Sequence, residues 1–102
     1  MNDKEQILKN ICYTDLVYGR FNKKLHKNLT RNEIEQLVKD TIGKVDADSI
    51  QKIGKNFYIS NEHRGIRLTV NKHNYRLITA DLLKENGGAS RGSMFLTERE
   101  IL

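Results

Sequence analysis

The hydrophobic pattern changes its period near residue 55, and this change constrains the fold more than any other feature of the chain. Before it, Ile34, Leu37, Val38 and Ile42 recur at helical spacing. After it, the segments "NFYIS", "IRLTV" and "YRLITA" alternate apolar with polar residues and are rich in β-branched and aromatic side chains. The first pattern is typical of amphipathic helices and the second of strands. We therefore predict an α+β fold, in which two or three N-terminal helices pack on one face of a three-stranded antiparallel sheet.

The most distinct helix start in the sequence is at Thr30. Thr30 and Glu33 have the spacing of a capping box, which predicts a helix over residues 31–42. Asn2 and Glu5 have a similar spacing, so a short helix is also predicted at the N-terminus.

The composition changes after residue 84. "ENGGASRGSM" is a Gly/Ser-rich segment, and the part-apolar "FLTEREIL" follows it. We predict a single α+β domain over residues 1–84, and a linker with a short tail over residues 85–102. The tail can be mobile, dock on the domain or a partner, or mediate self-association, so a homo-oligomer stays open.

The segment "ICYTDLVYGRFNKKLHKN", residues 11–28, concentrates aromatic and basic side chains. A second helix is predicted over residues 14–28, and its helical wheel has one mainly apolar face. The other side carries Leu16 and four cations. These cations are Arg20, Lys23, Lys24 and Lys27. They form either a solvated helix face or a ridge that follows phosphate groups, and the sequence leaves both interpretations open.

A hairpin register follows from the turn between the last two predicted strands. A two-residue turn at Lys72 and His73, or a four-residue loop over 71–74, gives the same register. The predicted pairs are Val70 with Tyr75, Leu68 with Leu77 and Ile66 with Thr79.

This register places Tyr58, Arg67 and Arg76 together on the outer face of the sheet, with Arg64 in a connecting loop. Bases stack on phenol and guanidinium planes, and phosphates accept paired hydrogen bonds from guanidinium groups. The sequence therefore predicts a nucleic-acid-binding face at these residues. The alternative is an ordinary polar face whose arginines pair with neighbouring carboxylates.

A metal-independent ribonuclease is a further hypothesis on the same scaffold. Cleavage through the 2′-hydroxyl needs a base, an acid and cations. Tyr58, His63, Arg67, His73 and Arg76 are residue types that supply these groups. Their spacing does not require catalysis, so the catalytic residues stay unassigned. No sequence motif for a cofactor or a metal is found, and none is predicted.

The charge balance favours an anionic partner. The chain has 102 residues, a net charge of +5 and 30% charged residues. Nucleic acid, as RNA or a single strand, and an acidic protein surface both fit this charge. Because no apolar run approaches the ~20 residues of a membrane span and "MNDKEQ" does not resemble a signal peptide, we expect a cytoplasmic protein without a membrane partner. The single cysteine, Cys12, is expected to be a buried, reduced thiol.

Several segments resemble, in order and wording, a family of small bacterial and phage proteins known as a domain of unknown function. They are "ICYTDLVYGRFNKKL", "EIEQLV", "KIGKNFYISN", "IRLTVN" and "YRLITAD", within about residues 5–83. The resemblance implies a small α+β domain and no particular activity.

The segment "GKNFYISNEHRGIRLTVNKHNYRL" is also similar in rhythm to the sheet of small mRNA-cleaving toxins with a double-stranded-RNA-binding-like fold. Those toxins carry a catalytic histidine on the first strand, where this chain has Asn56 and Phe57. The similarity therefore bears on the fold more than on the activity.

The sequence is compatible with two functions of different classes. The first is that of a small basic protein that binds nucleic acid, and a toxin-like protein is one form of it. The second is a protein-binding module, such as a phage-encoded inhibitor of a bacterial defence or nuclease complex.

Overall fold

A computed structural model describes residues 2–83, and within them the helices precede the strands. The α+β class is confirmed, but the sheet of the described residues has four strands instead of three. The predicted linker and tail, residues 85–102, lie outside the described range. The helices are α1 (Asp3–Asn10), α2 (Asp15–Leu25) and α3 (Arg31–Gly43), and the strands are β1 (Gln51–Ile53), β2 (Asn56–Asn61), β3 (Ile66–Asn71) and β4 (Leu77–Leu82).

The starts of α1 and α3 follow the predicted capping residues. The Thr30 hydroxyl accepts from the Glu33 amide at 3.2 Å, and the Glu33 carboxylate accepts from the Thr30 amide at 2.8 Å. This reciprocal pair is a complete capping box. At α1, the Asn2 side chain accepts from the Glu5 amide at 2.9 Å. Local side-chain chemistry therefore fixes where these helices begin.

Helix ends differ from the prediction. α2 stops at Leu25, three residues short of position 28, where His26 adopts a left-handed conformation with φ 56. The Lys27 amide then donates to the Asn22 carbonyl at 2.9 Å, which satisfies an end carbonyl of α2. In α3, Gly43 is the last helical residue, one position beyond the predicted end.

The sheet is antiparallel throughout, in the order β1-β2-β3-β4. Its first strand, β1, was not predicted. All three of its residues are exposed, so it lacks the alternation of buried and exposed positions by which the other strands are found. A turn through Gly54, with φ 59, joins β1 to β2.

The predicted register of β3 and β4 is wrong. The connection is five residues, 72–76, and Tyr75 has a φ of 59 while its amide donates to the Asn71 carbonyl at 2.9 Å. A bulge between Thr69 and Val70 shifts the pairing further. The observed pairs include Val70 with Leu77, Leu68 with Ala80 and Ile66 with Leu82.

One core joins the helices to the sheet. The buried residues of β2 and β3 mostly alternate with exposed or half-buried ones, as expected when one face is covered. The core cluster comprises Ile7, Val17, Phe21, Leu25, Ile34, Val38, Ile42, Val45, Phe57, Ile59, Ile66, Leu68, Val70, Leu77 and Ala80.

A short parallel bridge extends the sheet beyond β4. The Cys12 amide donates to the Tyr75 carbonyl, and the Leu77 amide donates to the Cys12 carbonyl, both at 2.9 Å. The bridge fixes the start of α2 beside the start of β4. Cys12 itself is exposed, contrary to the prediction, because its backbone sits at the sheet edge.

Candidate nucleic-acid interface

The predicted basic side of α2 is exposed. Val17, Phe21 and Leu25 are buried on the opposite side, as the helical wheel predicts, and they fix the orientation of the helix. Arg20, Lys23 and Lys24 lie on the helix, whereas Lys27 follows its end. We call these four exposed cations, Arg20, Lys23, Lys24 and Lys27, the α2 ridge.

The α2 ridge is only partly neutralised. Lys24 Nζ lies 3.1 Å from the Asp81 carboxylate, a pair between partly exposed groups. Such surface pairs contribute little stability and are screened by salt. None of the ion pairs within residues 2–83 involves Arg20, Lys23 or Lys27. These three cations therefore remain available to an external anion.

Arg20 connects the α2 ridge to the sheet. Its guanidinium donates to the Ile78 carbonyl at 3.3 Å. It also lines two neighbouring depressions. One, of about 190 Å³, includes Arg76, and the other, of about 460 Å³, includes Lys23 and Lys24. Among residues 2–83, no Asp or Glu lines either depression, and Arg20 is common to both. Arg20 therefore connects Arg76 to the part of the α2 ridge that includes Lys23 and Lys24.

The sheet face opposite the core carries a smaller group of predicted residues. Tyr58 pairs with Thr69 and Arg67 pairs with Ser60, so Tyr58 and Arg67 occupy diagonal positions on one face. On β4, Asp81 lies opposite Arg67. This face is polar and nearly neutral in the described residues.

Arg76 does not join Tyr58 and Arg67, because the register differs from the predicted one. The Asn71 amide donates to the Arg76 carbonyl, so Arg76 lies beside the last residue of β3. Arg67 is four residues earlier on that strand, roughly 13 Å away along it. The predicted three-residue face is thus divided, and Arg76 lies with Arg20.

Arg64 has a partner in the fold. Its guanidinium contacts the Asp40 carboxylate of α3, and its amide donates to the Asn61 side chain at 3.0 Å. The Asn61 side chain in turn donates to the Thr41 carbonyl at 3.0 Å. These contacts join the β2–β3 turn to the end of α3, which is a structural role.

The two histidines of the ribonuclease hypothesis do not come together. His63 lies in the turn before β3, and His73 lies in the turn after it. A strand of six residues separates the two turns, which corresponds to roughly 20 Å. Hence the two histidines are too far apart to share one phosphate. In the part of the chain that the structure describes, no group of three His, Cys, Asp or Glu residues is placed to hold a metal ion.

An aromatic cluster joins α2 to α3. The rings of Tyr13 and Tyr18 stack at 5.7 Å, which fits the spacing of a hydrophobic staple. Tyr18 donates to the Glu35 carboxylate at 2.6 Å, and the Arg31 guanidinium lies 4.5 Å from the Tyr18 ring centre. The contacts with α3 were not predicted, because they depend on how the two helices pack.

The two tyrosines of this cluster are expected to respond differently to loss of the hydroxyl. The Tyr13 hydroxyl is buried without a hydrogen-bond partner among residues 2–83, so Tyr13→Phe should leave the free energy of unfolding unchanged or raise it by up to about 1 kcal/mol. Tyr18→Phe removes the hydrogen bond to Glu35 and should lower the free energy of unfolding by about 0.5–1 kcal/mol. Urea denaturation of both variants measures the difference, and equal losses would contradict the geometry.

Tyr13 and Tyr18 also make the free energy of unfolding depend on pH in the alkaline range. Burial raises the pKa of Tyr13, and the hydrogen bond to Glu35 raises the pKa of Tyr18. A raised pKa in the folded state stabilises the protein below the unfolded pKa near 10, and this contribution is lost as the pH rises through the folded pKa. The free energy of unfolding should therefore fall less steeply above about pH 10 in Tyr13→Phe than in the wild type.

None of the helices within residues 2–83 is long and apolar enough to cross a membrane. Comparisons with curated proteins and with solved structures found no match. A comparison with protein families matches residues 5–81 to the family described as "Protein of unknown function (DUF3781)". Because the match extends from α1 into β4, the chain belongs to this family.

Proposed function

We propose that the protein binds nucleic acid, as RNA or another single strand, through Arg76 and the α2 ridge. One observation carries this proposal. Arg20 lines both a depression with Arg76 and a depression with Lys23 and Lys24, and no carboxylate of the described part of the chain lines either one. Cations aligned in this way fit the regular negative charge of a phosphate backbone.

The overall charge supports the proposal. A net charge of +5 attracts a polyanion over several ångströms and raises the rate of encounter. Tyr58 and Arg67, on the sheet face opposite the core, form a second and smaller contact area in this proposal. Arg64 is not needed for binding, since its guanidinium already contacts Asp40. The proposal concerns binding and includes no catalytic step.

Salt dependence of binding tests the proposal. If three or four cations each neutralise a phosphate, the affinity for a labelled single strand should fall roughly 20- to 50-fold between about 50 and 200 mM salt. Fluorescence anisotropy with RNA and with single-stranded DNA measures this slope. Failure to bind either strand at about 50 mM salt, or an affinity that salt does not change, would refute the proposal.

A protein partner is the second candidate, and one observation favours it. Leu16 is 81% exposed beside the cations, a combination that also fits an acidic protein surface with apolar side chains. A phage-encoded inhibitor of a bacterial nuclease or defence complex is one form of this candidate. Pull-down after nuclease treatment of the extract separates the two, since a retained protein partner favours this candidate and loss of all bound material favours nucleic acid.

A further inference from the structure

The depression between α2 and β4 has an unusual lining. It measures about 190 Å³ and lies where the Cys12 bridge brings the start of the helix beside the start of the strand. Two of its residues are arginines, and two are exposed apolar residues. The full lining is Thr14, Leu16, Val17, Arg20, Arg76, Leu77 and Ile78.

The two guanidinium groups are the first indication of a ligand. Arg20 and Arg76 both line this depression of about 190 Å³, and two cations that share one small site repel each other. Among residues 2–83, no carboxylate lines the depression and neither arginine takes part in an ion pair. An anion held between them would relieve the repulsion and accept charge-assisted hydrogen bonds.

Arg20 is already oriented for this role. One of its nitrogens donates to the Ile78 carbonyl at 3.3 Å, which holds the side chain across the gap between α2 and β4. A guanidinium has five N–H donors in a fixed plane, so donors remain after this bond. The plane of such a group also stacks on nucleic-acid bases.

The apolar residues are the second indication. Leu16 is 81% exposed and Ile78 is 36% exposed, and they are two of the four large exposed hydrophobic residues in the described range. Single exposed apolar residues are common, but these two line the same depression as the arginines. Val17 and Leu77 beneath them are buried, so the floor is also apolar. Apolar walls beside two guanidinium groups match the two parts of a nucleotide, its base and its phosphate.

The volume of the depression limits the ligands that it can hold. Sites for drug-sized molecules usually measure about 300–1,000 Å³, so this smaller depression admits one ring system. A base inside a duplex is stacked and paired, and cannot turn into it without unpairing.

We propose that this depression receives one unstacked base of a single strand against Leu16 and Ile78, while Arg20 and Arg76 bind the adjoining phosphates. This inference rests on the proposed function and adds a site that selects single strands over duplexes.

The test compares three ligands of about 12 nucleotides, which is within the range of single-strand site sizes. They are a single-stranded RNA, an abasic sugar-phosphate chain of the same length, and a blunt RNA duplex. The wild-type protein should bind the single strand at least about fivefold more tightly than either of the others, because burial of a base against apolar side chains adds to the phosphate contacts.

Two variants test whether the preference for the single strand arises at this depression. Ile78→Ser and, separately, Leu16→Ser should each reduce affinity for the single strand at least about fivefold and leave affinity for the abasic chain unchanged. Leu16→Ser changes a largely exposed residue, so it keeps the test valid if Ile78→Ser folds poorly. Ile53→Ser is the matched control, since Ile53 is 58% exposed and does not line the depression.

Each outcome separates this inference from the proposed function. Equal binding of the single strand and the abasic chain by the wild type would overturn the base site while backbone binding stands. Adenosine monophosphate bound as tightly as the strand would overturn the assignment to a nucleic acid. Failure to bind all three ligands at about 50 mM salt would refute the proposed function itself.

Discussion

Reversing three charges of the α2 ridge, by Arg20→Glu, Lys23→Glu and Lys27→Glu together, is expected to reduce affinity for single-stranded RNA at least about 100-fold at 50 mM salt. The reason is twofold. Three phosphate contacts are lost, and three carboxylates then repel the strand. The slope of log affinity against log salt should also become shallower by about 2, because roughly 0.7 of a counterion is released per phosphate contact on a single strand.

A matched variant separates this surface from the total charge. Lys39→Glu, Lys52→Glu and Lys55→Glu also changes three exposed lysines that form no ion pair in the described residues. Each reversal replaces a positive charge with a negative one and lowers the net charge by two units, so both variants change the net charge from +5 to −1. Anisotropy titrations should show a loss of less than about tenfold for this control. Similar losses in both would mean that general charge, and no particular surface, attracts the strand.

The parts of the fold predicted from the sequence are those that local chemistry determines. Thr30 and Glu33 form their capping box through contacts three residues apart. Val17, Phe21 and Leu25 are buried because helical spacing brings them to one side. The basic side of α2 is exposed for the same reason, so helical spacing alone predicts the positions of Arg20, Lys23 and Lys24 in the α2 ridge.

The register of β4 was not predictable from alternation alone. It depends on the loop after β3, where the Asn71 side chain accepts from the His73 and Asn74 amides at 2.8 and 3.1 Å. The Asn74 side chain accepts from the Arg76 amide at 3.0 Å. Asparagine side chains often form such turns, so Asn71 and Asn74 indicate a loop longer than the predicted one.

The division of the predicted site has the same origin. Once the loop runs through residue 75, Arg76 precedes β4 and pairs with Cys12, instead of following the register that places it near Arg67. That bridge joins residues 64 positions apart, and nothing local in the sequence indicates it. The resulting neighbour of Arg76 is Arg20, so a long-range contact decides which cations act together.

Phe21→Ala is expected to have the largest effect on stability. Phe21 is fully buried in the core cluster, on the side of α2 opposite its cations. Truncation of a buried phenylalanine costs about 3–5 kcal/mol through lost burial and the cavity left behind. A domain of this size has a total stability of about 5–15 kcal/mol, so much of it would be lost. Thermal denaturation followed by circular dichroism should show a Tm lower by more than about 10 °C.

Leu16→Ala is the matched control for Phe21→Ala, because it removes a large apolar side chain from the same helix at a position that is 81% exposed. Its free energy of unfolding should stay within about 0.5 kcal/mol of the wild type. If Phe21→Ala were equally mild, α2 would not be anchored to the sheet through this face. Arg20 would then not be held beside Arg76 and Ile78, and the binding surface of the proposed function would lose its support. The stability of Phe21→Ala therefore tests, without any ligand, whether α2 is packed on the sheet as the proposed function requires.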